Sequence, residues 1–65
     1  MQVIINGDKT TVNGIRNVAG LINYLELTGR IAVEINQQIV PRSQFEKYPV
    51  NEGDVIEIVF AIGGG

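Results

Sequence analysis

Val18-Ala19-Gly20-Leu21-Ile22-Asn23-Tyr24-Leu25 is the stretch on which the fold turns, because Val18, Leu21, Ile22 and Leu25 fall at i, i+3, i+4 and i+7 and so share one face of a helix. The predicted helix runs from about residue 17 to 27, with Asn17 as its N-cap and Thr28-Gly29 as its stop. Gly20 inside it costs about 1 kcal/mol relative to alanine, so packing of the apolar face must hold this helix more than propensity does. No other segment of the chain reads as a helix of this kind. A single helix is therefore available to cover a sheet.

Toward the N-terminus, Val3 and Ile5 alternate over residues 2 to 5, Asn6-Gly7 is a hairpin signal, and Lys9 to Val12 reads as the returning strand. Asn13-Gly14 then breaks the chain before the helix. Toward the C-terminus, Ile31, Val33 and Ile35 alternate with Ala32 and Glu34 as a third strand. Asn36-Gln37-Gln38 is a polar turn, and Ile39-Val40 is a short strand ended by Pro41, expected at a sheet edge. Arg42 to Pro49 shows neither period and is read as a crossing segment with Phe45 and Tyr48 turned inward. Asn51-Glu52-Gly53-Asp54 is a turn in which glycine accepts positive φ and the aspartate bonds nearby N–H groups. The last strand, Val55 to Ala61, places Ile56, Ile58 and Phe60 on the core face and Val55, Glu57, Val59 and Ala61 on the other. The order ββαβ, a short strand and a final β defines an α+β class: a mixed sheet covered on one face by a single main helix.

With 65 residues, the chain is one domain, residues 1 to 65, able to bury about 60% of its unfolded surface, without cysteine and hence without a disulfide. Its 45% hydrophobic and 18% charged content is that of an ordinary globular protein. Zero cysteine and zero histidine remove the usual metal ligands, the thiolate nucleophile and the neutral-pH base together. No catalytic residue and no metal site is assigned. Glu34 and Glu57 lie on strands, Glu52 and Asp54 on a glycine turn, where carboxylates are commonplace. The glycines compose no phosphate loop, so no nucleotide or other cofactor is expected on this chain. The run from Ile58 to Ile62 falls far short of the roughly 20 residues of a membrane span, and the N-terminus lacks a secretion signal. Cytoplasm is the expected compartment. Five scattered cations and a net charge of −2 argue against a nucleic-acid partner.

The sequence ends in Gly63-Gly64-Gly65. Without a Cβ, such a run neither packs nor fixes a conformation, and residues 62 to 65 are expected to form a flexible C-terminal tail. Three extended residues reach roughly 10 Å, which suits threading Gly63 and Gly64 into a partner's active site and presenting the Gly65 carboxylate. Beside this tail, Val59, Ala61 and Ile62, with Ile4 as neighbour, are the expected docking patch.

Val33 to Phe45, Asn51 to Ile58 and the Gly64-Gly65 end together resemble the thiamin-pathway sulfur carriers of the ThiS family over nearly the whole chain. The most specific portion is Asn36-Gln37-Gln38-Ile39-Val40-Pro41-Arg42 with the aromatic Phe45 following. The resemblance implies a ubiquitin-like β-grasp fold, in agreement with the element order. It also implies a chemistry in which a ThiF-like adenylating enzyme of the ubiquitin-activating type uses MgATP to convert the Gly65 carboxylate to an acyl-adenylate. A persulfide sulfur donor then displaces AMP to leave a thiocarboxylate, and a ThiG-like thiazole synthase takes the sulfur. In that scheme the chain is a protein co-substrate and not an enzyme. The alternatives are a carrier for molybdopterin or tRNA thiolation, and a non-conjugated ubiquitin-like binding module with an inert tail. Two departures from the family pattern are the third glycine, Gly63, and Gly20 within the helix.

Overall fold

The first strand pairs with the last. In the computed structural model, which describes residues 1–60, β1 (Gln2–Ile5) and β2 (Asp8–Thr11) form an antiparallel hairpin, followed by α1 (Val18–Tyr24), β3 (Ile31–Ile35), β4 (Gln38–Val40), a 3-10 turn (Arg42–Gln44) and β5 (Val55–Phe60). The sheet order is β2-β1-β5-β3-β4, with β5 parallel to β1 and antiparallel to β3. β4 is an edge strand, as expected from Pro41. Val3, Val33, Ile35, Ile56 and Ile58 point from the sheet into a core closed by Val18 and Leu21 of α1 and by Val12, Ile15, Val40, Phe45 and Val50.

Both hairpin turns have two central residues at positive φ, Asn6 (48°) with Gly7 (87°) and Asn36 (50°) with Gln37 (71°). That geometry matches the right-handed twist of the flanking strands. The second turn adopts it without glycine.

The crossing segment caps the helix. Among the first N–H groups of α1, which have no partner within the helix, Val18 N donates to Tyr48 O (3.0 Å) and Ala19 N to Phe45 O (2.9 Å). Gly20 N donates to Asn17 Oδ1 (2.7 Å), confirming Asn17 as N-cap, and Asn17 Nδ2 donates to Glu46 O (3.0 Å). The aperiodic stretch is thus ordered by supplying acceptors to a helix start. Phe45 is buried and Tyr48 half-buried.

Several details differ from expectation. α1 stops at Tyr24 rather than near residue 27, because Glu26 turns to φ 56°. Leu27 N then bonds Ile22 O (3.1 Å) and Glu26 N bonds Asn23 O (3.0 Å), the paired closure of a helix end that glycine usually provides. Second, β2 begins at Asp8 and β4 at Gln38, each one residue earlier than read, since the two-residue turns let pairing start immediately. Third, Phe60 is 53% exposed instead of joining Ile56 and Ile58 in the core. A seven-residue helix spans about 10 Å, whereas the six residues of β5 span about 20 Å, so α1 leaves one end of that strand uncovered. The expected extension of this strand to Ala61, and the tail at residues 62 to 65, lie outside the described residues.

Candidate functional site

The face of the sheet turned away from α1 holds the described members of the expected docking patch, Ile4 and Val59. β5, at its centre, presents Val55, Glu57 and Val59 there, all exposed, between buried Ile56 and Ile58. The pairing places Ala32 beside Val59 and Glu34 beside Glu57, and Ile39 of the edge strand beside Glu34. Ala32, Glu34, Ile39, Glu57 and Val59 border a shallow concavity of about 260 Å³. Val59 is 57% exposed and Ile39 79%.

Of the residues expected to dock a partner, Ile4 and Val59 are described, and both face this side of the sheet. They are not neighbours. Ile4 lies opposite Val55 in the parallel β1/β5 pair and is half-buried, so it and Val59 are separated along the strand by Glu57. Ala61, Ile62, Gly63, Gly64 and Gly65 lie outside the described residues. Ile39, the most exposed large apolar side chain among the described residues, was not singled out by sequence reasoning. Its signal was its position before Pro41 on an edge strand, where one face of a short β element meets solvent.

β5 is held in place by amide side chains on both flanks. Asn6 Oδ1 accepts from Ile58 N (2.8 Å) and its Nδ2 donates to Ile58 O (3.1 Å). On the other side Asn36 Oδ1 accepts from Val55 N (3.0 Å), and its Nδ2 donates to Asp54 Oδ1 (3.0 Å). Asp54 Oδ2 accepts from Asn51 N (2.8 Å), which is the turn role read for that aspartate. These bonds fix the strand that leads to the C-terminal residues.

A second and larger concavity, about 480 Å³, lies on the helix side between Ile22, Leu27, Ile31, Phe45 and Arg42. Arg42 Nη2 is occupied there by Gly29 O (2.7 Å). Among the described residues, no group of three His, Cys, Asp or Glu side chains is placed to hold a metal ion. No helix among them is long and apolar enough to cross a membrane.

A five-stranded mixed sheet with the last strand at its centre and a single helix across one face is the ubiquitin-like β-grasp. The crystal structure of the thiamine biosynthesis protein ThiS from Geobacter metallireducens superposes with a TM-score of 0.86 at 32% identity, covering all of both chains. A model of the ThiS family matches residues 3–65, and the sulfur carrier protein ThiS of Escherichia coli is 35% identical over the full length of both. This chain belongs to the ThiS family. It is also 41% identical to a segment of thiazole synthase from Paramagnetospirillum magneticum, where it spans only 20% of that protein's length.

Proposed function

We propose that this chain carries sulfur as a thiocarboxylate on Gly65 and delivers it for thiazole formation in thiamin synthesis. The observation that carries the reading is the family match running through Gly65, together with full-length alignment to a sulfur carrier. The fold suits a carrier, because β5, the last described strand before the glycines, is held centrally by Asn6 and Asn36. A carboxylate is a poor electrophile until an activated leaving group is attached. In the proposed reaction, a Gly65 carboxylate oxygen attacks the α-phosphorus of MgATP bound to a ThiF-like enzyme, and pyrophosphate leaves. A persulfide sulfur then attacks the acyl carbon and AMP departs. Cleavage of the S–S bond by a thiol, which supplies two electrons, leaves the thiocarboxylate.

Glycines at residues 63 to 65 leave that carbonyl open to a sulfur nucleophile, since none carries a Cβ. The carrier contributes a docking face and a reacting end, while nucleotide binding and catalysis belong to the partners. Thiazole synthase as sulfur acceptor is supported by the Paramagnetospirillum protein, in which a segment like this chain occupies a fifth of a polypeptide of that name. Covalent linkage of a carrier to its acceptor raises their effective concentration.

Incubation of this chain with the ThiF-like enzyme, MgATP and a persulfide donor, followed by intact-mass measurement, tests the reading. The expected product is heavier by one oxygen exchanged for sulfur and is trapped by thiol-selective alkylation at the C-terminus. An unchanged mass in a system that converts the Escherichia coli carrier would overturn it.

A further inference from the structure

Glu34 and Glu57 are direct Cα partners across the antiparallel β3/β5 pair, on the solvent face of the sheet. Like charges placed directly opposite one another destabilise a sheet, and here they stand on its two most extensively paired strands. No cation of the chain is a strand partner of either carboxylate. Lys9 shares the face but lies on β2, two strands from Glu57 and level with Val55, so about 12 Å from it between Cα positions. Arg30 precedes Glu34 by four residues, about 13 Å along the chain, and Arg42 is engaged by Gly29 O on the helix side.

Around the two carboxylates the surface is apolar and concave, bordered by Ala32, Ile39 and Val59. A sheet face that combines exposed aliphatic groups with an anionic pair is complementary to a surface offering a cation among apolar side chains. A second copy of this chain does not fit, because stacking the two faces would bring four carboxylates together. The location also matters. Val59 is six residues from Gly65, so a partner seated here finds the Gly65 carboxylate within about 20 Å of covalent reach.

We propose that the Glu34–Glu57 pair reads an arginine or lysine presented by the partner that activates Gly65, seated between Ile39 and Val59. This rests on the carrier function proposed above and adds the recognition element: a cationic side chain of the adenylating enzyme. Docking then removes the like-charge repulsion that the free carrier holds, so binding energy is drawn in part from its relief.

The test measures calorimetric affinity for the ThiF-like enzyme from low to high salt, alongside thermal unfolding, for the wild-type chain, for Glu34→Gln/Glu57→Gln, and for Glu57→Lys. Both variants should unfold at higher temperature, the double variant by about 3 °C, because repulsion is gone. Affinity should nevertheless fall about tenfold in the double variant and about a hundredfold in Glu57→Lys, with most of the salt dependence lost in the former. If the wild-type chain gains sulfur but the double variant binds within about twofold of it with the same salt dependence, the cation-reading proposal is overturned while the carrier function stands. If the wild-type chain is neither bound nor converted, both fall.

Discussion

Asn6 grips Ile58 with both ends of its side-chain amide, accepting from the N–H at 2.8 Å and donating to the C=O at 3.1 Å. The amide thereby stands in for a peptide group of β1, prolonging the parallel β1/β5 ladder past the hairpin turn, where Asn6 N already donates to Ile56 O at 2.9 Å. The residue must hold φ 48° to do this, a conformation asparagine tolerates better than most. Two bonds of about 1 kcal/mol each and the steric cost of a Cβ at positive φ set the expected effect of Asn6→Ala at about 2 to 3 kcal/mol of lost stability. Asn6→Gly should lose about 1 kcal/mol less, since it sheds the bonds and keeps the backbone comfortable. Urea unfolding of the two variants separates the contributions.

Glu26 occupies, at φ 56°, the helix-terminating position that glycine favours. Replacing it with glycine relieves about 1 to 2 kcal/mol of steric cost and gives back part of that through a more flexible unfolded chain. Glu26→Gly should therefore stabilise by about 0.5 to 1 kcal/mol, and Glu26→Ala should not. Denaturant midpoints at constant m-value decide between these outcomes.

Gly20 and Asn17 are expected to be coupled. A Cβ at Gly20 would sit 3.1 Å from Asn17 Oδ1, the atom that caps the helix. Asn17→Ala should cost about 1 to 2 kcal/mol through loss of the cap. Gly20→Ala should gain little in the native background, but about 1 kcal/mol when Asn17 is already alanine and the crowding is absent. A double-mutant cycle that returned no coupling would show that the cap side chain yields freely to the new methyl group.

Deleting Gly65, or adding a residue after it, should abolish conversion to the thiocarboxylate, read by intact mass. The unfolding temperature should stay that of the native chain, because residues 1–60 contain the whole described core. Conversion of the extended variant at the native rate would contradict Gly65 as the reacting end.

Ile39 and Val59 are exposed, so Ile39→Ser and Val59→Ser should alter stability by no more than about 0.5 kcal/mol. Affinity for the adenylating enzyme should fall by about 1 kcal/mol or more for each, since both border the concavity on the face proposed to dock it. Competition binding against the native carrier measures the loss.

Much of the architecture was legible from local rules. Helical spacing at Val18, Leu21 and Ile22 located α1, Asn17 declared its start, and Asn6-Gly7 declared the first hairpin. The alternation of β5 assigned Ile56 and Ile58 inward and Val59 outward. Where reading along the chain failed, the deciding partner was remote. Nothing near Glu26 in sequence signals a left-handed residue, because the backbone there is set by where the chain must go to begin β3. Phe60 keeps the inward parity of Ile58 yet meets solvent, since parity assigns a side of the sheet and not the extent of the helix above it.

By itself the sequence determined the kinds of element, their order, the turns between them, the family motif from Asn36 to Phe45 and the glycine, Gly65, proposed to react. Those follow from periodicity, φ preference and local capping, which act over a few residues. Only the tertiary structure decided that β5 lies between β1 and β3, so that Glu34 faces Glu57, Ile39 and Val59 share one face, and the crossing segment supplies the acceptors that start the helix. Strand alternation is the same whichever neighbour a strand takes. The choice of neighbour is settled by which arrangement closes one core and satisfies the remote backbone groups at once.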